Sequence, residues 1–212
     1  MRTLLIIVAA STALLCGLSA CKIPDPPPIE GVWEDKFERS SIGKNYLPTR
    51  HLYKIKDGVL RIKGAENHPL WLRKKLPRNV RIEFSVKSDS RSGDIKVELF
   101  GDGKSHAPNR GAYTSTGYVI LAGGWSNKKS LIARRNEHGR EMVADTKMRV
   151  TPGKWYQWKI ERKGAAVTWW IDGKQFLHYV DPRPMEGPGH QYFGFDNWRS
   201  DCSFDNLKIT PL

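Results

Sequence analysis

Two short stretches concentrate the side chains that handle polyhydroxylated ligands. In the first, Trp125 and Asn127 follow the apolar run 117–122, and Arg135, Glu137 and His138 follow the run 130–134. A Trp ring offers a flat apolar face to sugar C–H groups. Asn, Arg, Glu and His add directional donors and acceptors for hydroxyls. The second stretch is 187–198, where His190 precedes an apolar strand and Asp196, Asn197 and Trp198 follow it. Both sets leave apolar strands through turns, which place binding side chains outside the core. The expectation is that all nine residues converge on one solvent-facing cleft that binds carbohydrate. The condition is that strand 192–195 lies beside strand 117–122. Glu137 and His138 are the candidates for any catalysis.

A third set is Asp94, Lys96 and Glu98, within Asp94-Ile95-Lys96-Val97-Glu98. Period two puts all three on one strand face. At about 3.3 Å per residue, the Cα atoms of Asp94 and Glu98 lie roughly 13 Å apart. A retaining glycosidase pair needs carboxyl groups about 5–5.5 Å apart. With a Lys between two acids, the expectation is an exposed charge ladder. The six His and three Cys show no H-x-H, H-E-x-x-H or C-x-x-C spacing. No metal or other cofactor is expected; Asp196, Asn197, Asp201 and Asp205 carry the oxygens that a calcium ion would use. Cys202, beside Phe204, reads as a buried, inert thiol.

These side chains need a scaffold, and its period is two. Apolar residues alternate in Val80, Ile82, Phe84 and Val86, and again in Ile95, Val97 and Leu99. Tyr156, Trp158 and Ile160 repeat the pattern, as do Val167, Trp169 and Ile171. Each set lines one face of a strand. Asp57-Gly58, Asp102-Gly103, Pro152-Gly153, Asp172-Gly173 and Pro188-Gly189 punctuate the runs as turns. Asp172-Gly173 suits a type I′ hairpin from Trp169 to Tyr179. No stretch shows helical periodicity. About twelve short strands predict an all-β, two-sheet sandwich of jelly-roll type, with no internal repeat. Eight Trp among 212 residues supply ample core.

The series Gly153-Lys154-Trp155-Tyr156 through Ile160, then Val167 to Gly173, then Phe204-Asp205-Asn206-Leu207-Lys208-Ile209 resembles the last third of concanavalin A-like sandwiches. The nearest likeness is to bacterial domains associated with 3-keto-disaccharide hydrolysis. Those end in a W-x-x-x-x-I strand, a W-x-[ND]-G hairpin and an F-[RD]-N-[IL]-x-[IL] strand. Trp33-Glu34-Asp35-Lys36-Phe37-Glu38 resembles their opening F-x-D-x-F strand. The resemblance spans residues 31–212. It implies the concanavalin A-like fold and carbohydrate as the ligand class, on a fold that also serves adhesins and protein binders. Laminarinases and lichenases on this fold carry E-x-D-x-E or E-x-D-x-x-E on one strand. The stretch 94–98 departs from that pattern, with Asp for the first Glu and Lys for the middle Asp.

The N-terminus carries an export signal. Arg2 precedes a mostly apolar run from residue 4 to 15, too short to span a bilayer. Leu18-Ser19-Ala20-Cys21 then resembles the lipobox of bacterial lipoproteins. That resemblance makes residues 1–20 a cleaved signal peptide and Cys21 the lipidated first residue of the mature chain. Lys22, in place of Asp, leans towards the outer membrane. Residues 21–30 include Pro24 and Pro26-Pro27-Pro28, an extended tether that holds the domain of 31–212 off the bilayer.

The formal net charge is +13, with Lys and Arg spread along the chain and densest at Arg73-Lys74-Lys75. Such spreading fits solvated strand faces, with attraction to anionic envelope polymers as the functional reading. Export argues against a nucleic-acid partner. The missing E-x-D-x-E pattern favours a lipid-anchored, non-catalytic carbohydrate-binding module of the cell envelope. The alternatives are a keto-glycoside hydrolase or lyase on the same fold, and a structural lipoprotein that binds only proteins. Mass spectrometry of the native N-terminus should find residues 1–20 removed and Cys21 acylated. An intact Met1 start, or an unmodified Cys21, would sink the anchor.

Overall fold

The computed structural model describes residues 25–109, 113–139 and 141–212. Residues 1–24, on which the expected signal peptide, Cys21 and the start of the expected tether fall, lie outside the described residues. Among those described, fifteen strands form two sheets. The chain first lays down β1 (Trp33–Asp35), β2 (Tyr46–Pro48), β3 (Lys54–Lys56), β4 (Val59–Lys63) and β5 (Leu70–Leu72). β6 (Val80–Ser88), β7 (Ile95–Gly101), β8 (Tyr118–Gly123), β9 (Lys129–Arg134) and β10 (Glu141–Asp145) follow. The last are β11 (Tyr156–Lys163), β12 (Ala166–Ile171), β13 (Lys174–Val180), β14 (Tyr192–Asp196) and β15 (Asp201–Pro211).

One sheet has the order β13-β12-β11-β6-β15-β4-β3, with β1 also paired to β15; the other runs β10-β9-β8-β7-β14-β5-β2. Sequential strands therefore often sit in different sheets, as jelly-roll connections require. The predicted fold class holds, as does the hairpin. Asp172 and Gly173 both take positive φ, 51° and 77°, as a type I′ turn between β12 and β13 demands.

The alternating apolar sets meet between the sheets. Ile82, Phe84 and Val86 of β6 face Phe193 and Phe195 of β14, with Phe204 of β15 beside them. Trp158 packs at a tilt against Trp169, 4.4 Å between ring centroids, and against Phe84 at 5.6 Å. Trp155 falls out of this period and stays 40% exposed. Ile95, Val97 and Leu99 of β7 point into the same core. Lys96 and Glu98 must then project from the opposite face of their sheet.

One expected adjacency is different. β14 does not lie beside β8; β7 sits between them and pairs with both. The two polar stretches reach each other across β7, through its outward side chains. Trp158→Ala removes a ring packed on two aromatic neighbours and should cost about 3–5 kcal/mol in urea unfolding. A loss below about 1 kcal/mol would show that this face is not the core.

Candidate functional site

Lys96 is the centre of the outer face of the seven-stranded sheet. Its side chain is 2% exposed. Its Nζ donates to Asn67 Oδ1 and stands 3.3 Å from Asp196 Oδ2 and 3.4 Å from Glu137 Oε2. Asp196 enters from β14, whose register sets it opposite Lys96. Asn67 comes from the β4–β5 loop, and Glu137 from the tip of the β9–β10 hairpin. Three separate segments thus close over one ammonium. Burial pulls its pKa down, but Glu137, Asp196, Asp94 and Glu98 outweigh that and hold it above the ordinary lysine value.

The neighbouring acids respond in the other direction. Glu98, fully buried, accepts a hydrogen bond from Ser115 Oγ. Burial and the nearby Asp196 push its carboxyl up to about 8. Burial likewise raises Asp196, to about 7, against the opposing pull of Lys96. Tyr113 lies against Glu98, and burial followed by that carboxylate drives its phenol well up. Asp94 sits just before β7 at φ 59°, and its Oδ2 accepts the Trp198 backbone N–H at 2.9 Å. Burial raises it too, with Lys96 the largest opposing influence.

A void of about 10 Å³, room for about one water, remains among Lys96, Glu98, Tyr113, Ser115, Arg135 and Glu137. Glu137 is the wall between this void and an open cleft of about 370 Å³. The cleft is lined by Trp125, Lys129, Glu137, His138, Gly139 and Glu141. Trp125 is 40% exposed and meets the His138 ring edge-on at 5.4 Å. Lys129 Nζ lies 5.3 Å from the Trp125 ring centroid and 2.5 Å from Glu141. Glu137 turns its other oxygen towards His138 Nε2, at 3.7 Å.

Trp125 is presented by unusual backbone. Trp125 (φ 51°, ψ 56°) and Ser126 (φ 60°, ψ 46°) form a left-handed turn, continued by Asn127 at φ 65°. Left-handed backbone costs L-residues about 1–2 kcal/mol each. The Asn127 side chain holds the turn. Its Oδ1 accepts the Val150 N–H at 2.8 Å, and its Nδ2 donates to Val150 O at 2.7 Å and Arg91 O at 3.2 Å. Gly93 leaves the necessary gap, since a Cβ there would come within 2.8 Å of Asn127 Oδ1.

Comparison with known proteins gives this arrangement a family. The profile of the 3-keto-alpha-glucoside-1,2-lyase-like domain matches residues 29–210. The chain belongs to that family. No curated protein sequence matches it. Among solved structures, this lyase-like domain is similar to a galectin-like protein of unknown function from Bacillus subtilis. That match has a TM-score of 0.64 at 12% identity and covers 84% of this chain and 94% of the other. A carbohydrate-binding module from Bacillus subtilis gives 0.60 at 12% identity over 78% and 95%. A laminarinase from Flavobacterium sp. UMI-01 gives 0.58 at 14% identity over 85% and 100%. At these identities the structures establish the shared fold.

The lyase-like domain brings some of the expected residues together and not others. Trp125, Glu137 and His138 line one cleft, and Asp196 joins them from below through Lys96. Trp198 stands half-buried at the same end of the sheet, tied to Asp94. Asn127 spends its amide on backbone and positions Trp125. Asn197 is buried in the same way, accepting from Ala65 N and donating to Ser200 O. Arg135 lines the inner void rather than the cleft. His190 lies at the far end of β14, about 20 Å of strand from Asp196, and does not share the cleft.

The charge ladder is the main correction: Lys96 and Glu98 are buried, covered by loops that the strand pattern does not reveal. Of the four oxygen donors considered for calcium, Asp196 faces an ammonium and Asn197 is committed to backbone. Asp201 lies 4.0 Å from Lys63, and Asp205 accepts from Asn206. No grouping of three or more metal-binding side chains occurs among the described residues. Cys202 is buried as expected, and burial pushes its thiol up to about 12.

The raised Glu98 carboxyl has a consequence for stability. The folded state holds this proton above pH 4.5, where the unfolded chain releases it, and gives it up only near 8. Between those values the folded state binds more protons, so stability falls as pH rises. Thermal unfolding from pH 5 to 8 should show the native chain losing stability relative to Glu98→Gln. Parallel curves would place the Glu98 carboxylate in contact with water.

Proposed function

We propose that this domain binds a 3-keto-glycoside in the Trp125 cleft and cleaves it by 1,2-elimination. The observation that carries the reading is the position of Glu137. One carboxylate oxygen rests on the buried Lys96 ammonium, the other faces His138, and the group opens on the cleft. A ketone at C3 acidifies the hydrogen on C2. Glu137 takes that proton, the resulting enolate expels the glycosidic oxygen from C1, and a double bond forms between C1 and C2. The departing oxygen gains a proton and leaves as an alcohol. His138 and Lys129 line the same cleft and supply donors for the enolate and for the leaving oxygen. Trp125 provides the apolar platform for the ring. Lys96, held by Asn67 and Asp196, fixes the orientation of the Glu137 carboxylate and is a positioning residue. The family supports this chemistry, and the laminarinase and the carbohydrate-binding module share the fold.

A module that only binds sugar is the competing reading. It is favoured by the cover over Lys96, Glu98 and Asp196, which leaves the cleft alone to meet ligand. We also propose that the domain is displayed on the cell envelope, anchored through lipid on Cys21 and held in the outer membrane. The lipobox-like 18–21, Lys22 and the Pro-rich tether support this.

The test uses a 3-keto-glucoside with a chromogenic leaving group, alongside its binding measured by calorimetry. Glu137→Gln should lower kcat by about 10²–10⁴-fold, the usual contribution of a general base. Its dissociation constant should stay within a few fold. Trp125→Ala should weaken binding first. Native protein that binds the sugar without turnover would establish the binding module. Protein that neither binds nor cleaves it would overturn both readings.

A further inference from the structure

The chain enters the domain beside its densest basic run. Pro28 bridges to Lys75, the Ile29 N–H donates to Lys75 O at 2.9 Å, and the Lys75 N–H donates to Pro27 O at 3.0 Å. Leu76, next in line, donates to Gln191 O at 2.7 Å, just before β14. The run 73–76 therefore lies at the start of β14, and Asp196 at the other end of that strand, about 17 Å away.

Two kinds of side chain gather at this end. Arg73, Lys74, Lys75 and Arg78 supply positive charge. Asp25 pairs with Lys75 and Glu186 with Arg78, while the Arg73 and Lys74 side chains have no partner among the described residues. Two large apolar side chains are exposed here as well. Leu212 is 45% exposed and bonded through its N–H to Asn79 O, the residue after Arg78. Val180 is 55% exposed and paired with Ala166, two residues from Gly164, whose N–H donates to Asn79 Oδ1.

We infer that this end of the sandwich rests on the surface of an anionic phospholipid bilayer, with the Trp125 cleft turned away from it. The inference rests on the proposed Cys21 anchor for its geometry. From Cys21 to Pro28 the chain spans seven residues, at most about 25 Å when fully extended. The face nearest the tether is thus always close to lipid. Basic side chains within a Debye length of anionic headgroups are attracted to them, roughly fivefold in partitioning for each. Exposed apolar tips beside them suit the headgroup boundary. Docking this way leaves the cleft open to glycans arriving from the aqueous side.

Lysine acetylation read by mass spectrometry tests the orientation. The full mature chain is reconstituted in vesicles of phosphatidylcholine, with or without 30% phosphatidylglycerol. In anionic vesicles, Lys74 and Lys75 should label at least about fivefold more slowly than in neutral ones. Lys128, at the Trp125 turn, should label equally in both, and 0.5 M salt should abolish the protection. Equal labelling of Lys74 and Lys75 in the two vesicle types would overturn the inference. Should Cys21 carry no lipid, co-flotation of the chain with anionic but not neutral vesicles would still support the surface. Flotation with neither would overturn it. The double variant Arg73→Glu, Lys74→Glu reverses the charge of two part-exposed side chains and should remove the protection of Lys75.

Discussion

An ammonium beneath a protein surface must be surrounded by acceptors or give up its proton. Lys96 is surrounded. Asn67, Asp196 and Glu137 reach its Nζ from three loops or strands that are distant in sequence. Removing any one charged partner of such a buried pair typically costs about 3–5 kcal/mol, because the other charge is left behind. The β4–β5 loop, the end of β14 and the β9–β10 tip are therefore constrained by a single cation. Glu98 and Asp196 hold their protons more tightly as the result of the same burial. The cleft above inherits its shape from this arrangement, since Glu137 is both a partner of Lys96 and a wall of the cleft.

Three consecutive left-handed residues, Trp125 to Asn127, stand where the ligand would meet the protein. The left-handed turn at Trp125 and Ser126 exists because Asn127, Gly93 and Val150 over-determine it. Strained backbone persists only when its surroundings fix it, and it gathers at ligand-facing positions. The rigid aromatic platform and the buried polar cluster are thus two parts of one device. The platform supplies area and the cluster sets the direction of a carboxylate. The remainder of the molecule keeps the two in register: the Trp158–Trp169–Phe84 core fixes the sheets, and β7 carries Lys96 between β8 and β14.

Period two in Val80–Val86, Ile95–Leu99, Tyr156–Ile160 and Val167–Ile171 was enough to read the sandwich, because each set has one buried face. Asp172-Gly173 was equally legible, since few residues tolerate both positive φ angles. The site was less so. Alternation shows that Lys96 and Glu98 leave the core face, but it carries no information about what lies over the other face. The cover comes from the β4–β5 loop, the β7–β8 connection and the hairpin tip, and their paths depend on tertiary contacts. Asn127 and Asn197 have the composition of binding residues, yet both satisfy backbone groups, a use of Asn that local sequence does not separate from ligand contact. His190 and Asp196 are near in sequence, but a strand carries them to opposite ends.

Proton abstraction at C2 is the central claim, and it can be observed without bond cleavage. A 3-keto sugar lacking the substituent at C1 has no glycosidic oxygen to expel, so removal of its C2 hydrogen is read as exchange with solvent. Proton NMR in D₂O follows that signal directly. The account predicts that the protein accelerates loss of the C2 signal at least about 100-fold over buffer, within the range for a positioned general base, and that Glu137→Gln removes the acceleration. A sugar that binds in the cleft while its C2 hydrogen exchanges no faster than in buffer would contradict it.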